Sequence, residues 1–180
     1  VDGATFRIPP DYTQEKHIEG LPLGTRGGAL LPYTFPQDGE YEIEVTLSRD
    51  RNEHVEGLNG SHQMEVLIDR ELVKSFKVVS KGKDHSEVDK HLNVRTFVKA
   101  GPKDLGVTFH QKTYSLLANK RQPFDAHFNL HRHPRLSPAV FQISITGPFN
   151  GSGSVDTPSR KKIFIEQAVS VDQEIEVAEK

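Results

Sequence analysis

Apolar and polar positions alternate with period two along much of the chain, the pattern of strands with one buried face. In EYEIEVTLS, Tyr41, Ile43, Val45 and Leu47 fall on one face, while Glu40, Glu42, Glu44 and Thr46 fall on the other. QMEVLID places Met64, Val66 and Ile68 together, and RELVKSFKVV resumes after a short turn at Asp69–Arg70. ALLPYTF (Ala29 to Phe35) precedes the turn PQDG, and LNVRTFVKAG pairs with DLGVTFHQ, where Leu105, Val107 and Phe109 alternate with small or polar residues. A long connection from Lys112 to Pro138 leads to AVFQISITGPF, and SRKKIFI is a candidate last strand. No segment carries the apolar spacing of an amphipathic helix of ten or more residues.

Seven or eight short strands separated by turn signals predict an all-β fold, a jelly-roll-like antiparallel β-sandwich. Its expected core is Ile43, Val45, Leu47, Val66, Ile68, Phe76, Phe97, Leu105, Val107, Phe109, Val140, Ile143 and Ile145. Residues 1–27 read as an irregular segment packed on the domain, because RIPPDY and EGLPLGTRGG are rich in proline and glycine. The sandwich is expected over 28–165 and an acidic tail or linker over 166–180.

Composition narrows the partners. The 180 residues suit one domain plus a tail, and the net charge of −2 gives no basis for nucleic-acid binding. No apolar run approaches the roughly 20 residues that span a bilayer. The absence of cysteine excludes disulfides, thiolate-bound zinc, iron–sulfur clusters and covalent haem attachment in this segment. The chain opens on VDGATF with no leader pattern, which reads as a piece of a longer protein.

Two loops carry candidate chemistry. In DRNEHVEG, Asp50, Asn52 and Glu56 alternate ahead of Gly57 and offer the oxygen donors that calcium prefers. The other reading of that loop is a solvated charged turn in which Arg49 or Arg51 pairs with the acids. In AHFNLHRHPRL, His127, His131 and His133 crowd beside Arg132 and Arg135. Pro134 and Pro138 favour a loop over a helix there, and in an extended segment His131 and His133 point the same way. That stretch reads first as a polar scaffold, then as a ligand contact, and least as a transition-metal site. GTRGG lacks the spacing of a phosphate loop and reads as tight turns at a sheet edge, with Arg26 paired to an acid. The chain has no Trp and four Tyr, so stacking platforms for sugars are scarce; Tyr33 and Tyr114 are the loop candidates.

The succession FPQDGEYEIEVTL, MEVLIDRELVKSF and VKAGPKDLGVTF resembles the jelly-roll carbohydrate-binding modules, within them the calcium-dependent, xylan-binding kind. The longer phrases HIEGLPLGTRGG, RDRNEHVEGLNGSHQMEVLID, RQPFDAHFNLHRHPR and ITGPFNGSGSVDTPSRKKIF resemble large multidomain planctomycete proteins that carry c-type cytochrome segments, over roughly residues 15–164. The resemblance implies an extracytoplasmic, cell-surface or periplasmic protein whose module holds polysaccharide near redox domains, possesses no catalytic residues, and uses calcium to coordinate sugar hydroxyls. In such modules the key acids are expected in the loop before AVFQISITG, which here holds Asp125 and Asn129 without a paired acid. The ligand contacts expected are Arg51, Glu56, Arg121, His131 and His133, with Asp50, Asn52 and Glu56 on any calcium. The rival expectation is a structural or interaction domain that packs against neighbouring redox domains and binds no glycan.

Overall fold

The computed structural model describes residues 2–80, 82, 85–112, 126–127 and 134–151. Eight strands run in chain order: β1 (Asp2–Arg7), β2 (Thr25–Phe35), β3 (Gly39–Leu47), β4 (Ser61–Ile68), β5 (Glu71–Val79), β6 (Asn93–Val98), β7 (Gly101–His110) and β8 (Val140–Phe149). They form two four-stranded sheets, β1-β8-β3-β6 and β2-β7-β4-β5, with every neighbouring pair antiparallel. The fold is an all-β sandwich. No helix among the described residues is long and apolar enough to cross a membrane.

The alternation of β3 is realised residue by residue. Tyr41, Ile43, Val45 and Leu47 are buried between the sheets, facing Met64, Val66, Leu105, Val107 and Phe109 from the other layer. The Tyr41 hydroxyl reaches the core rim and donates to the Gln37 carbonyl at 2.8 Å, so burying the ring strands no polar group. Asp69 and Arg70, at φ 50° and 70°, form the two-residue turn from β4 to β5, the left-handed pair that matches strand twist. Asp69 fastens this turn by accepting from the Asp104 amide at 2.9 Å and from Lys103 Nζ at 2.6 Å.

Four expectations need correction. The first 27 residues are not wholly irregular: β1 pairs with β8 from Asp2 to Arg7, and β2 begins at Thr25. Ile68 is only half-buried where it packs against the core, and Leu67 is also buried, on the opposite face of β4, where it meets Gly106 beside Leu21. Tyr33 is not a loop residue; it lies within β2, half-buried, its ring edge-on to Phe6 and Phe35. Phe97 is not core: it is 59% exposed. On β6, Val94 and Val98 face inward, so the pleat turns Asn93, Arg95 and Phe97 out.

The irregular stretch between β1 and β2 seals the second sheet. Leu21 lies against Gly106, where a Cβ would meet its side chain at 2.6 Å, so β7 is buried on both faces from Leu105 to Phe109. Thr108 tolerates this because its hydroxyl lies 3.1 Å from the Arg26 carbonyl and 3.0 Å from that of Gly27. GTRGG forms a bulge on the edge strand β2. Gly28, at φ 79°, passes so close to β7 that a Cβ would fall 1.8 Å from the Val107 carbonyl oxygen. Gln14 then ties the sheets together: its Oε1 accepts from the Gly28 and Val140 amides, and its Nε2 donates to the Val140 carbonyl at 2.6 Å. Arg26 is buried over the Phe109 ring, 3.9 Å from Glu15, and donates to the Gln14 and Pro138 carbonyls.

Candidate functional site

The loop joining β3 to β4 is held both by its own groups and by the segment between β5 and β6. Arg49 donates to Asp89 Oδ1 at 2.7 Å and to the Glu53 and His85 carbonyls, while Asp89 Oδ2 accepts from the Leu47 amide. Asp50 Oδ1 accepts from the His54 amide at 2.9 Å and the Asn52 amide at 2.8 Å. These bonds, the His54 amide first, hold the Asp50 carboxyl below its usual range. Glu56 is taken up by Arg135, whose Nε donates to Glu56 Oε2 at 3.1 Å and whose Nη2 donates to the Pro10 carbonyl at 2.6 Å. The Arg135 side chain is 2% exposed, and this burial lowers its pKa against the opposing pull of Glu56. Gly57, at φ 68°, packs onto the Ser137 backbone.

The structure therefore brings together the two loops singled out in the sequence, through Arg135 and Glu56. The expected calcium donors Asp50 and Glu56 are engaged with different partners. One Asp50 oxygen already serves two amides, and the Glu56 carboxylate faces a guanidinium that would repel a cation. Among the described residues no three His, Asp or Glu side chains converge as metal ligands. Arg51 and Asn52 stand exposed on the loop. Arg121, His131 and His133 lie outside the described residues, as do Tyr114, Asp125, Asn129 and the segments SRKKIFI and 166–180. His127 behaves as scaffold: its Nδ1 is 3.0 Å from Asp11 Oδ2, its ring packs on Tyr12, and Ala126 and Thr13 exchange backbone and hydroxyl bonds beside it.

A second region was missed by sequence reasoning. Where β5 and β6 close the sandwich edge, a groove of about 500 Å³ has Glu71, Leu72, Thr96, Phe97, Lys99 and Lys103 among its lining residues. Leu72 is 57% exposed and Phe97 59%. Beside Phe97, the opposing Glu40 carboxylate accepts from Arg95 at 2.9 Å and from Asn150 at 3.2 Å, and Arg95 stacks on the Phe149 ring. The groove thus offers an aromatic face and an aliphatic neighbour rimmed by polar groups. The signal was the pleat itself, because Val94 and Val98 facing inward require Phe97 to face out.

No family model and no curated protein sequence matches the chain. Among solved structures, the chain is similar to the native structure of a family 35 carbohydrate-binding module from Clostridium thermocellum. The two are 12% identical with a TM-score of 0.38, the match covering 81% of this chain and 92% of that one. The sandwich assignment stands on the strand order and the burial described above.

Proposed function

We propose that this domain is a non-catalytic polysaccharide-binding module whose glycan lies in the β5–β6 groove. The observation that carries this reading is Phe97, more than half exposed and lining the same groove as Leu72, with Thr96, Asp69, Glu71, Lys99 and Lys103 among the other lining residues. An aromatic face packs against the apolar face of a pyranose, while the surrounding hydroxyl, carboxylate and ammonium groups match its ring hydroxyls. The groove is open along the sandwich edge, which suits an extended chain more than an enclosed small molecule. An extracytoplasmic location and a place beside c-type cytochrome segments of a larger protein belong to this reading through the phrase resemblance alone.

The test is a polysaccharide screen on the chain, run with calcium and with chelator, alongside Phe97→Ala and Asp50→Ala. Binding to one glycan class that weakens at least about tenfold in Phe97→Ala supports the groove. Loss on chelation together with loss in Asp50→Ala moves the site to the β3–β4 loop and restores the calcium reading. No binding under either condition favours an interaction domain, with Phe97 and Leu72 as a contact for a neighbouring domain.

A further inference from the structure

A second polar pocket, of about 460 Å³, lies at the opposite end of the β4–β5 hairpin from the groove. Its lining includes Ser61 and Gln63 of β4, Ser75 and Lys77 of β5, His110 at the end of β7, and Lys112. Two lysines contribute and no carboxylate does. Glu65, which stands opposite Ser75 at the pocket's border, is engaged with His110, Oε1 to Nε2 at 2.6 Å. Lys112 Nζ and the His62 ring converge on the Asn59 carbonyl, at 3.2 and 3.0 Å, and lie 3.4 Å from each other. Burial first, then the charges of Lys112 and Arg26, push the His62 pKa down to about 4. Ser75 Oγ accepts from Gln63 Nε2 at 2.8 Å, which leaves the serine proton available for donation.

Hydroxyl, amide and ammonium donors around a positively biased hollow suit an anion whose oxygens point in several directions. We propose that this pocket is an oxyanion subsite taking a tetrahedral ester group, sulfate or phosphate, carried on the same glycan that packs on Phe97; the second half of this inference rests on the polysaccharide reading above. β5 links the two places, with Leu72 lining the groove and Lys77 lining the pocket. Their five-residue separation corresponds to about 17 Å along the strand, within reach of an oligosaccharide of a few units. The domain then selects anionic glycans despite its net charge of −2, because the positive field is local to this end of the hairpin.

The pocket is tested first without any glycan. Inorganic sulfate and inorganic phosphate are titrated separately into the chain while the amide and imidazole resonances of His62, His110 and Lys112 are followed by NMR. Saturable shifts that disappear in a Lys77→Gln/Lys112→Gln double variant support the subsite, and the tighter-binding anion identifies the ester. Unsaturable shifts, or shifts unchanged in the double variant, overturn it. Calorimetry then compares native carrageenan oligosaccharides with their chemically desulfated counterparts. The native form is expected to bind at least about tenfold tighter, and the double variant to bring it to the affinity of the desulfated form. Equal affinities, or a preference that survives the double variant, overturn the sulfate assignment. Phe97→Ala should weaken both oligosaccharides, so its effect reports the groove and not the pocket. If neither oligosaccharide binds while the inorganic anions still saturate the pocket, the shared-glycan half of the inference falls together with the polysaccharide reading.

Discussion

At the loop end of the sandwich, Arg135, Glu56, Asp50 and Arg49 direct their charges at one another and at backbone groups. At the β5–β6 edge, Phe97 and Leu72 turn apolar surface toward solvent. By residue type the first region is the better advertised binding site, with acids, arginines and histidines in close succession. By geometry its described side chains behave as struts: each charge removed from water is matched by a partner, the condition under which buried ions are tolerated. The groove carries less conspicuous chemistry but leaves it outward. Residue type announces what a side chain could bind, and its partners decide whether it is available.

Among the loop-end struts, Arg135 bears the most. Replacing it with Met should cost about 3 kcal/mol or more in chemical denaturation, since Glu56 would be left buried without its cation and the Pro10 carbonyl without its donor. Pairing that change with Glu56→Leu should recover much of the loss. A single-variant cost below about 1 kcal/mol would mean that the pair is not a strut and that Glu56 is available for ligands.

A smaller effect is expected from pH. His62 is depressed to about 4 in the folded chain against 6.5 for the free side chain, so the unfolded state binds the extra proton between those values. Stability from this group is therefore fully present above about pH 6.5, declines as pH falls, and is exhausted near pH 4, a loss of at most about 3 kcal/mol. His62→Gln should flatten that slope in denaturation curves collected across the window. An unchanged slope would show that His62 is not held neutral by its burial and the nearby cations.

Phe97→Ala should change stability by no more than about 0.5 kcal/mol, as expected of a surface position. Phe109→Ala, the same deletion at a fully buried ring on β7, should cost about 3–5 kcal/mol. A large loss in Phe97→Ala would return that ring to the core and remove the groove's aromatic face.

Much of the fold was legible along the chain. The period-two runs of β3 and β7 announce their own buried faces, the Asp69–Arg70 turn separates β4 from β5, and the glycines of GTRGG mark a bend at an edge. These are local properties: the pleat alternates side chains whatever lies opposite, and left-handed backbone favours a short list of residues. Phe97 shows where the local reading failed. An aromatic residue in a strand looks like core, yet its inward or outward sense depends on the parity set by Val94 and Val98 and on β6 being an edge strand.

The candidate site was less legible, because it depends on contacts between residues far apart in sequence. The 79-residue separation of Glu56 and Arg135 closes only when β3 and β8 become neighbours. Leu21 covers Gly106, and Gln14 joins β2 to β8, only because the segment before β2 folds across the sheet. The all-β character, the alternating faces and the turn positions are written locally in the chain, since each follows from backbone geometry within a few residues. Tertiary structure decided which charges are consumed in pairs and which aromatic ring meets solvent, since the edge of a sheet and the partner of a charge exist only after distant strands have paired.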